Sequence, residues 1–163
     1  MRIYLAHAIE AGTASDNILA EEAYSSLKAN GHDIFDPVEE NEQAMGALAA
    51  DKLAVKTSNQ HSGYVRLIVE NDLQAVAKSD MLFVIYSKGV RKGAGVHGEM
   101  TLAAYLMKPI VVWHPNYDMK KAPDWVFGCC HPKFMNKDLA ESLKAVDFIE
   151  SMRSLQETIQ KTS

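Results

Sequence analysis

Three short apolar runs stand out along the chain: Arg2 to Ala6, Met81 to Tyr86 and Pro109 to Trp113. Each is continuous rather than alternating and partly β-branched or aromatic, the pattern of parallel strands covered on both faces. A weaker fourth run, His32 to Phe35, ends at Asp36-Pro37. The segments between them read as helices. Ser15 to Asn30 places Ile18, Leu19, Ala23 and Leu27 on one face, with Gly31 as its stop. Tyr64 to Ser79 carries Val65, Ile68, Leu73 and Val76, and Gly98 to Met107 forms a third helix. This alternation predicts a doubly wound, flavodoxin- or Rossmann-like parallel sheet of about five strands in a three-layer α/β/α sandwich.

Two stretches fit that scheme less directly. From Asp36 to Gly63 the pattern blurs: Ala44, Ala47, Leu48, Ala50, Leu53 and Ala54 read as a helix, and Asn59 to Gly63 as a loop. Segment 37–63 follows a strand's carboxyl end, where a wall or lid of a site is expected. The tail 137–160 reads as a helix striped by Leu139, Leu143, Val146, Ile149, Met152, Leu155 and Ile159. That stripe covers the chain's own sheet or is shared with a partner subunit.

The 163 residues make one domain, 1–163, large enough to build its own core. The net charge of -4 and the lack of any long basic run argue against binding a nucleic-acid polymer. Lys88, Arg91 and Lys92 form a smaller cluster, sufficient for one phosphate group. No apolar run is long enough to span a membrane. The two cysteines, Cys129 and Cys130, are adjacent, a poor arrangement for a disulfide, and point to a reduced, cytoplasmic protein; the N-terminus lacks a charged region followed by a long apolar one, so no signal peptide is expected. Cys129-Cys130-His131 lacks a second ligand pair, so no metal is expected.

In open parallel sheets, ligands bind beyond the carboxyl ends of the strands. After the first strand comes His7-Ala8-Ile9-Glu10-Ala11-Gly12, and after the second Asp36-Pro37. After the third comes Ser87-Lys88-Gly89-Val90-Arg91-Lys92-Gly93-Ala94-Gly95, leading into the helix that holds Glu99. Glycines let backbone amides approach an anion, and a helix start adds partial positive charge. The loop lacks the context of a dinucleotide fingerprint and the Gly-Lys-Ser/Thr of a P-loop. A glutamate in the first helical turn is explained either by the helix dipole or by chemistry. Asp72, inside a helix it does not favour, is the second candidate. Two carboxylates in one cleft could divide the work, one as nucleophile and one as proton donor. His97 is two residues from Glu99 and points to a different helical face. His7 stands where it could touch a ligand, and His61 reads as lid or surface.

These residues, in this order, resemble the nucleoside 2-deoxyribosyltransferases and the related 2-deoxynucleoside 5′-monophosphate N-hydrolases over about the first 115 residues. The resemblance rests on Arg2-Ile3-Tyr4-Leu5-Ala6, Asn71-Asp72-Leu73, Ala77-Lys78-Ser79-Asp80-Met81, Gly95-Val96-His97-Gly98-Glu99 and Lys108-Pro109-Ile110. It implies an enzyme, either an N-glycosidase (hydrolase) or a deoxyribosyltransferase. Glu99 would be its nucleophile, Tyr4 the residue steadying it, and Asp72 the residue assisting the leaving base. It further implies no cofactor, a small-molecule nucleoside or nucleotide substrate, and a homodimer or higher homo-oligomer in which a neighbour's C-terminal region closes each site. The expected substrate-binding residues are His7, Ala8, Glu10, Ser87, Lys88, Arg91, Gly93 and Gly95.

The chain also departs from that pattern. The N-hydrolases place Ser and Arg after the first strand to grip a 5′-phosphate, where this chain has Ala8 and Glu10. They place Ser six residues before the Glu, where Gly93 stands, and the Asp that transferases carry near there is missing too. Lys88, Arg91 or Lys92 could receive a phosphate instead; Glu10 could hold a sugar hydroxyl. Two other functions stay open: hydrolysis of a base-modified, NAD-like or cyclic nucleotide signal, and non-catalytic nucleotide sensing.

Overall fold

A computed structural model describes residues 1–9, 12–40 and 59–162. Five strands form one sheet: β1 (Arg2–Ala6), β2 (Asp33–Phe35), β3 (Met81–Ile85), β4 (Ile110–Trp113) and β5 (Met135–Asn136). Their order is β2-β1-β3-β4-β5, and every pair is parallel. The described helices are α1 (Ala14–Ala29), α2 (Pro37–Glu40), α3 (Asn59–Lys78), α4 (Lys88–Lys92), α5 (Gly95–Tyr105), α6 (Asp124–Cys129) and α7 (Leu139–Thr162). This is the doubly wound, flavodoxin-like α/β arrangement. The direction of winding reverses between β1 and β3, which opens a crevice at their carboxyl ends.

Alternation along the strands divides the core in two. Tyr4, Ala6, Leu82, Val84, Ile110 and Val112 pack with Ala75 and Val76 of α3 and Met100 and Ala103 of α5. Ile3, Leu5, Phe83, Ile85, Val111 and Trp113 pack with Ala20, Ala23 and Leu27 of α1 and Val146 and Ile149 of α7. The uninterrupted apolar runs are therefore explained, because both faces of each central strand are buried.

Several boundaries differ from those the pattern predicts. Ile18 is 67% exposed, and Asp16 takes an inward position on α1 instead. Val65 of α3 is likewise exposed. Asn59–Gly63 belongs to the first turns of α3 rather than to a loop. Helix α5 starts at Gly95, three residues earlier than the pattern predicts, so Glu99 sits in its second turn and the helix-dipole explanation loses force. The loop after β3 contains the short helix α4, whose N-cap is Ser87. Helix α7 packs through Val146 and Ile149, while Met152, Leu155 and Ile159 lie exposed on its second half. Of the expected lid 37–63, the segment 41–58 lies outside the described residues, as does Glu10.

Two of the sequence motifs turn out to hold the fold together. Asp80 accepts the Arg2 amide at 2.7 Å and pairs with Arg153, joining β1, β3 and α7. Lys108 donates to the Ser79 carbonyl, fastening the end of α3 to the entry of β4. Gly31, at φ 85°, ends α1 as the pattern predicts. Gly12 closes a turn by donating to Ile9 O at 3.3 Å, and a Cβ there would lie 2.5 Å from Ala8 O. Among the described residues, no helix is long and apolar enough to cross a membrane, and no cluster of His, Cys, Asp and Glu is placed to hold a metal ion. Cys130 is buried and donates to Ile110 O, and burial pushes its thiol up to about 12.

Candidate active site

The crevice beyond β1 and β3 gathers residues from four elements: β1, β2, α3 and α5. Tyr4 lies on β1 with its side chain fully buried, on the face covered by α3 and α5. Its hydroxyl donates to Glu99 Oε1 at 2.9 Å across 95 residues of sequence. Phe35, at the end of β2, stacks on the Tyr4 ring with centroids 5.4 Å apart. Glu99 is 7% exposed, and its Oε2 has no hydrogen-bond partner among the described residues. Asp72 is also buried and acts electrostatically on both Glu99 and Tyr4.

These surroundings set the chemistry of Glu99. Burial pushes its carboxyl up to about 7; the Tyr4 hydrogen bond and His7 oppose the rise, and the Asp72 charge adds to it. Tyr4 is itself raised far above the ordinary phenol range, first by burial and then by the charges of Glu99 and Asp72, so it remains a proton donor in its hydrogen bond. Glu99 is thus a carboxylate with one oxygen held and the other bare, poised to change charge near neutrality. Such a group can attack an electrophilic carbon or move a proton.

His7 follows β1 and is buried; its Nε2 lies 3.2 Å from Asp36 Oδ1. Burial works to raise Asp36, but hydrogen bonds from His7 and from the amides of Val38 and Glu39 outweigh it and lower its pKa. The ionised Asp36 can only accept, so His7 Nε2 carries the proton. His7 Nδ1 is buried without a partner among the described residues. Ala8 is buried beside it, and Ser87 is buried after β3.

The remaining expected contacts behave differently. Lys88, Arg91 and Lys92 project from α4 into solvent. The Gly89 amide is taken by Ser87 Oγ at 3.1 Å and the Gly93 amide by Val90 O at 3.2 Å, so these two do not wait for an anion. A Cβ at Gly93 would come no nearer than 4.0 Å to another residue, and one at Gly95 would meet nothing within 4 Å. Packing therefore does not require glycine at either position. His97 is a structural link: its Nδ1 donates to Gly93 O at 3.2 Å, and its Nε2 accepts from Tyr86 at 3.0 Å.

The sequence places Asp36 at the carboxyl end of the second strand, where ligands bind, but gives no sign of its pairing with His7, which is tertiary. Asp16 is buried at the start of α1. A signal for it existed, because Thr13-x-x-Asp16 is a capping-box spacing with Asp in place of the usual Glu.

No protein-family model matches the chain, and no curated protein matches it in sequence. Its fold has a solved counterpart. The structure is similar to that of a 2-deoxyribosyltransferase from the psychrotolerant bacterium Bacillus psychrosaccharolyticus. The TM-score is 0.65 at 18% identity, covering 86% of this chain and 89% of that one. At this identity the likeness establishes a shared architecture, which is the one described above.

Proposed function

We propose that the protein is an enzyme that cleaves or transfers at the N-glycosidic bond of a nucleoside or nucleoside 5′-monophosphate, with Glu99 as nucleophile. The observation that carries this reading is the state of Glu99: buried, held at Oε1 by Tyr4, bare at Oε2 among the described residues, and under the charge of a second buried carboxylate at the sheet's switch point. The fold shared with a deoxyribosyltransferase supports it.

In this mechanism ionised Glu99 Oε2 forms a bond to C1′ while the C1′–N bond breaks. The bonding pair leaves with the base, which takes a proton with help from Asp72. Tyr4 keeps the carboxylate turned toward C1′ through Oε1. Water or an incoming base nitrogen then attacks C1′ from the face the first base vacated, and the bond to Glu99 breaks with its electrons returning to the carboxylate. Two inversions give net retention. Phe35 extends the aromatic wall beside Tyr4 and offers a surface for the base. Self-association of the chain, with a neighbour closing the site, and a cytoplasmic setting belong to the same proposal.

The test is a panel of nucleosides and 5′-monophosphates, each with and without an acceptor base, applied to the wild type and Glu99→Ala. Base release by the wild type and its loss in a variant that still binds ligand support the proposal. Equal base release by both proteins overturns it. Binding without turnover by the wild type favours a nucleotide sensor.

A further inference from the structure

The mechanism above leaves one group at the crevice unused, the His7–Asp36 pair. Its place is fixed by the strands. His7 follows Ala6, which pairs with Val84 of β3, and Asp36 follows Phe35, whose ring stacks on Tyr4 at 5.4 Å. Tyr4 in turn holds Glu99 at 2.9 Å, so the His7–Asp36 pair, closed at 3.2 Å, adjoins the Tyr4–Glu99 pair. Ala6 and Ala8 pack on the Tyr4 face of the sheet, and alternation turns His7, between them, to the other face. Its Nε2 points to Asp36, at the end of β2, the neighbour of β1 on the side away from β3. The two nitrogens of an imidazole point nearly opposite ways, so Nδ1 points back toward β1 and β3, where the crevice opens. A structural histidine has both nitrogens filled, as His97 does with Gly93 and Tyr86. His7 is 6% exposed, and its Nδ1 meets no partner among the described residues. His32 shares that trait, but it precedes β2, at the amino ends of the strands and away from the crevice.

We propose that His7 is the general base of a hydrolytic second half-reaction, with Asp36 as the residue that positions it. This assignment rests on the N-glycosidic reading of the site. Once the base has left, the sugar is bonded to Glu99 through C1′. The attacking water stands where the glycosidic nitrogen stood, on the side of C1′ opposite Glu99. Asp72 serves a different atom, because a departing base takes its proton at a ring atom other than the glycosidic nitrogen. The water therefore needs an acceptor of its own, and ionised Asp36 fixes the tautomer in which Nδ1 keeps a free lone pair. The water oxygen bonds to C1′, its proton passes to Nδ1, and the C1′–Oε2 bond breaks with its electrons returning to Glu99. The imidazolium so formed donates Nε2–H to Asp36, and its charge favours the ionised Glu99 that is released. The extra proton leaves to solvent as the product departs. An incoming base delivers its proton to Asp72 instead, the reverse of departure, so hydrolysis needs His7 and transfer does not.

The experiment follows a substrate found with the wild type through both half-reactions. His7→Ala is expected to release base in a burst equal to the enzyme present and then to turn over about a hundredfold more slowly than the wild type. Intact-protein mass spectrometry should show the sugar retained on the enzyme during that slow phase. Azide, a nucleophile with no proton to lose, should restore turnover, and so should an acceptor base. Asp36→Asn should behave as His7→Ala does, because the side-chain amide then donates to Nε2 and moves the ring proton to Nδ1. The double variant should be no slower than the slower single one, since the two residues act as a unit. Asp36→Asn decides alone if His7→Ala does not fold. Hydrolysis at the wild-type rate by the folded variants overturns the proposal. So does loss of the burst along with turnover, or slow turnover that azide leaves unmoved, either of which marks a structural role. A wild type that releases base only when an acceptor is present overturns the role of His7 and keeps the glycosidic reading. No base release by the wild type with any nucleoside or monophosphate, acceptor or none, overturns the glycosidic reading and this assignment with it.

Discussion

Glu99 on α5 and Asp16 on α1 are equally buried, at 7% exposure each, yet their carboxyls move in opposite directions. Burial works to raise both. For Glu99 it wins, because one hydrogen bond from Tyr4 is opposed by the negative charge of Asp72. For Asp16 it loses, because the Ser87 hydroxyl, the Thr13 hydroxyl and amide, and His7 all favour the charged form. Burial sets the penalty on a carboxylate, and the donors around it decide whether the charge survives. One carboxylate is left under-satisfied and reactive; the other is settled and holds its charge in place.

The largest effect that contrast predicts is chemical. Glu99→Gln keeps the shape but removes the nucleophilic charge, and base release should fall by about a thousandfold or more in single-turnover kinetics. Asp72→Asn should slow base release by about a hundredfold, less for nucleosides whose base leaves readily. It should also move the acidic limb of kcat/KM to lower pH, because Asp72 raises Glu99. An unmoved limb would mean that the two carboxylates do not share a site.

Stability should move oppositely at the two positions. The folded state holds the Glu99 proton up to about pH 7, against an ordinary value of 4.5 for a free glutamate. Between those values the folded state binds more protons, so this group lowers stability as pH rises through the window. Chemical denaturation of Glu99→Gln should therefore show a gain on the order of 2 kcal/mol at pH 8 that shrinks toward pH 4. Asp16 has the reverse sign: its stabilisation is present above the ordinary value of 3.8 and is lost as pH falls through its lowered folded value. Asp16→Asn should thus lose about 1 kcal/mol at pH 8 as the cap weakens. The smallest effect belongs to Tyr4→Phe. It removes the donor that lowers Glu99, so the acidic limb of kcat/KM should rise above about 7.

The central strands were legible because residues covered on both faces have to be apolar, and β1 begins and ends where its run does. Strand β5, two residues long, carries no pattern of its own. The start of α5 was misplaced because Gly95 and Gly98 are poor helix formers, and tertiary packing of Val96, Glu99 and Met100 overrides that preference. Tyr4, Asp72 and Glu99 could be named from motif order, and the structure brings Tyr4 to Glu99 with Asp72 acting on both. The pairing of His7 with Asp36 joins segments far apart in sequence, so no local spacing announces it.

The turn at Gly12 constrains how this crevice can be redesigned. Its Cα faces the Ala8 carbonyl so closely that even one methyl group there would lie 2.5 Å from that oxygen. The obstacle is backbone and cannot rotate aside. Ala8 follows His7 directly, and Thr13 and Asp16 begin the helix just beyond. A library that varied the whole loop from position 8 to position 16 would lose most of its members at position 12 alone. Holding that glycine fixed and varying its neighbours keeps the two ends of the loop in register while substrate range is altered.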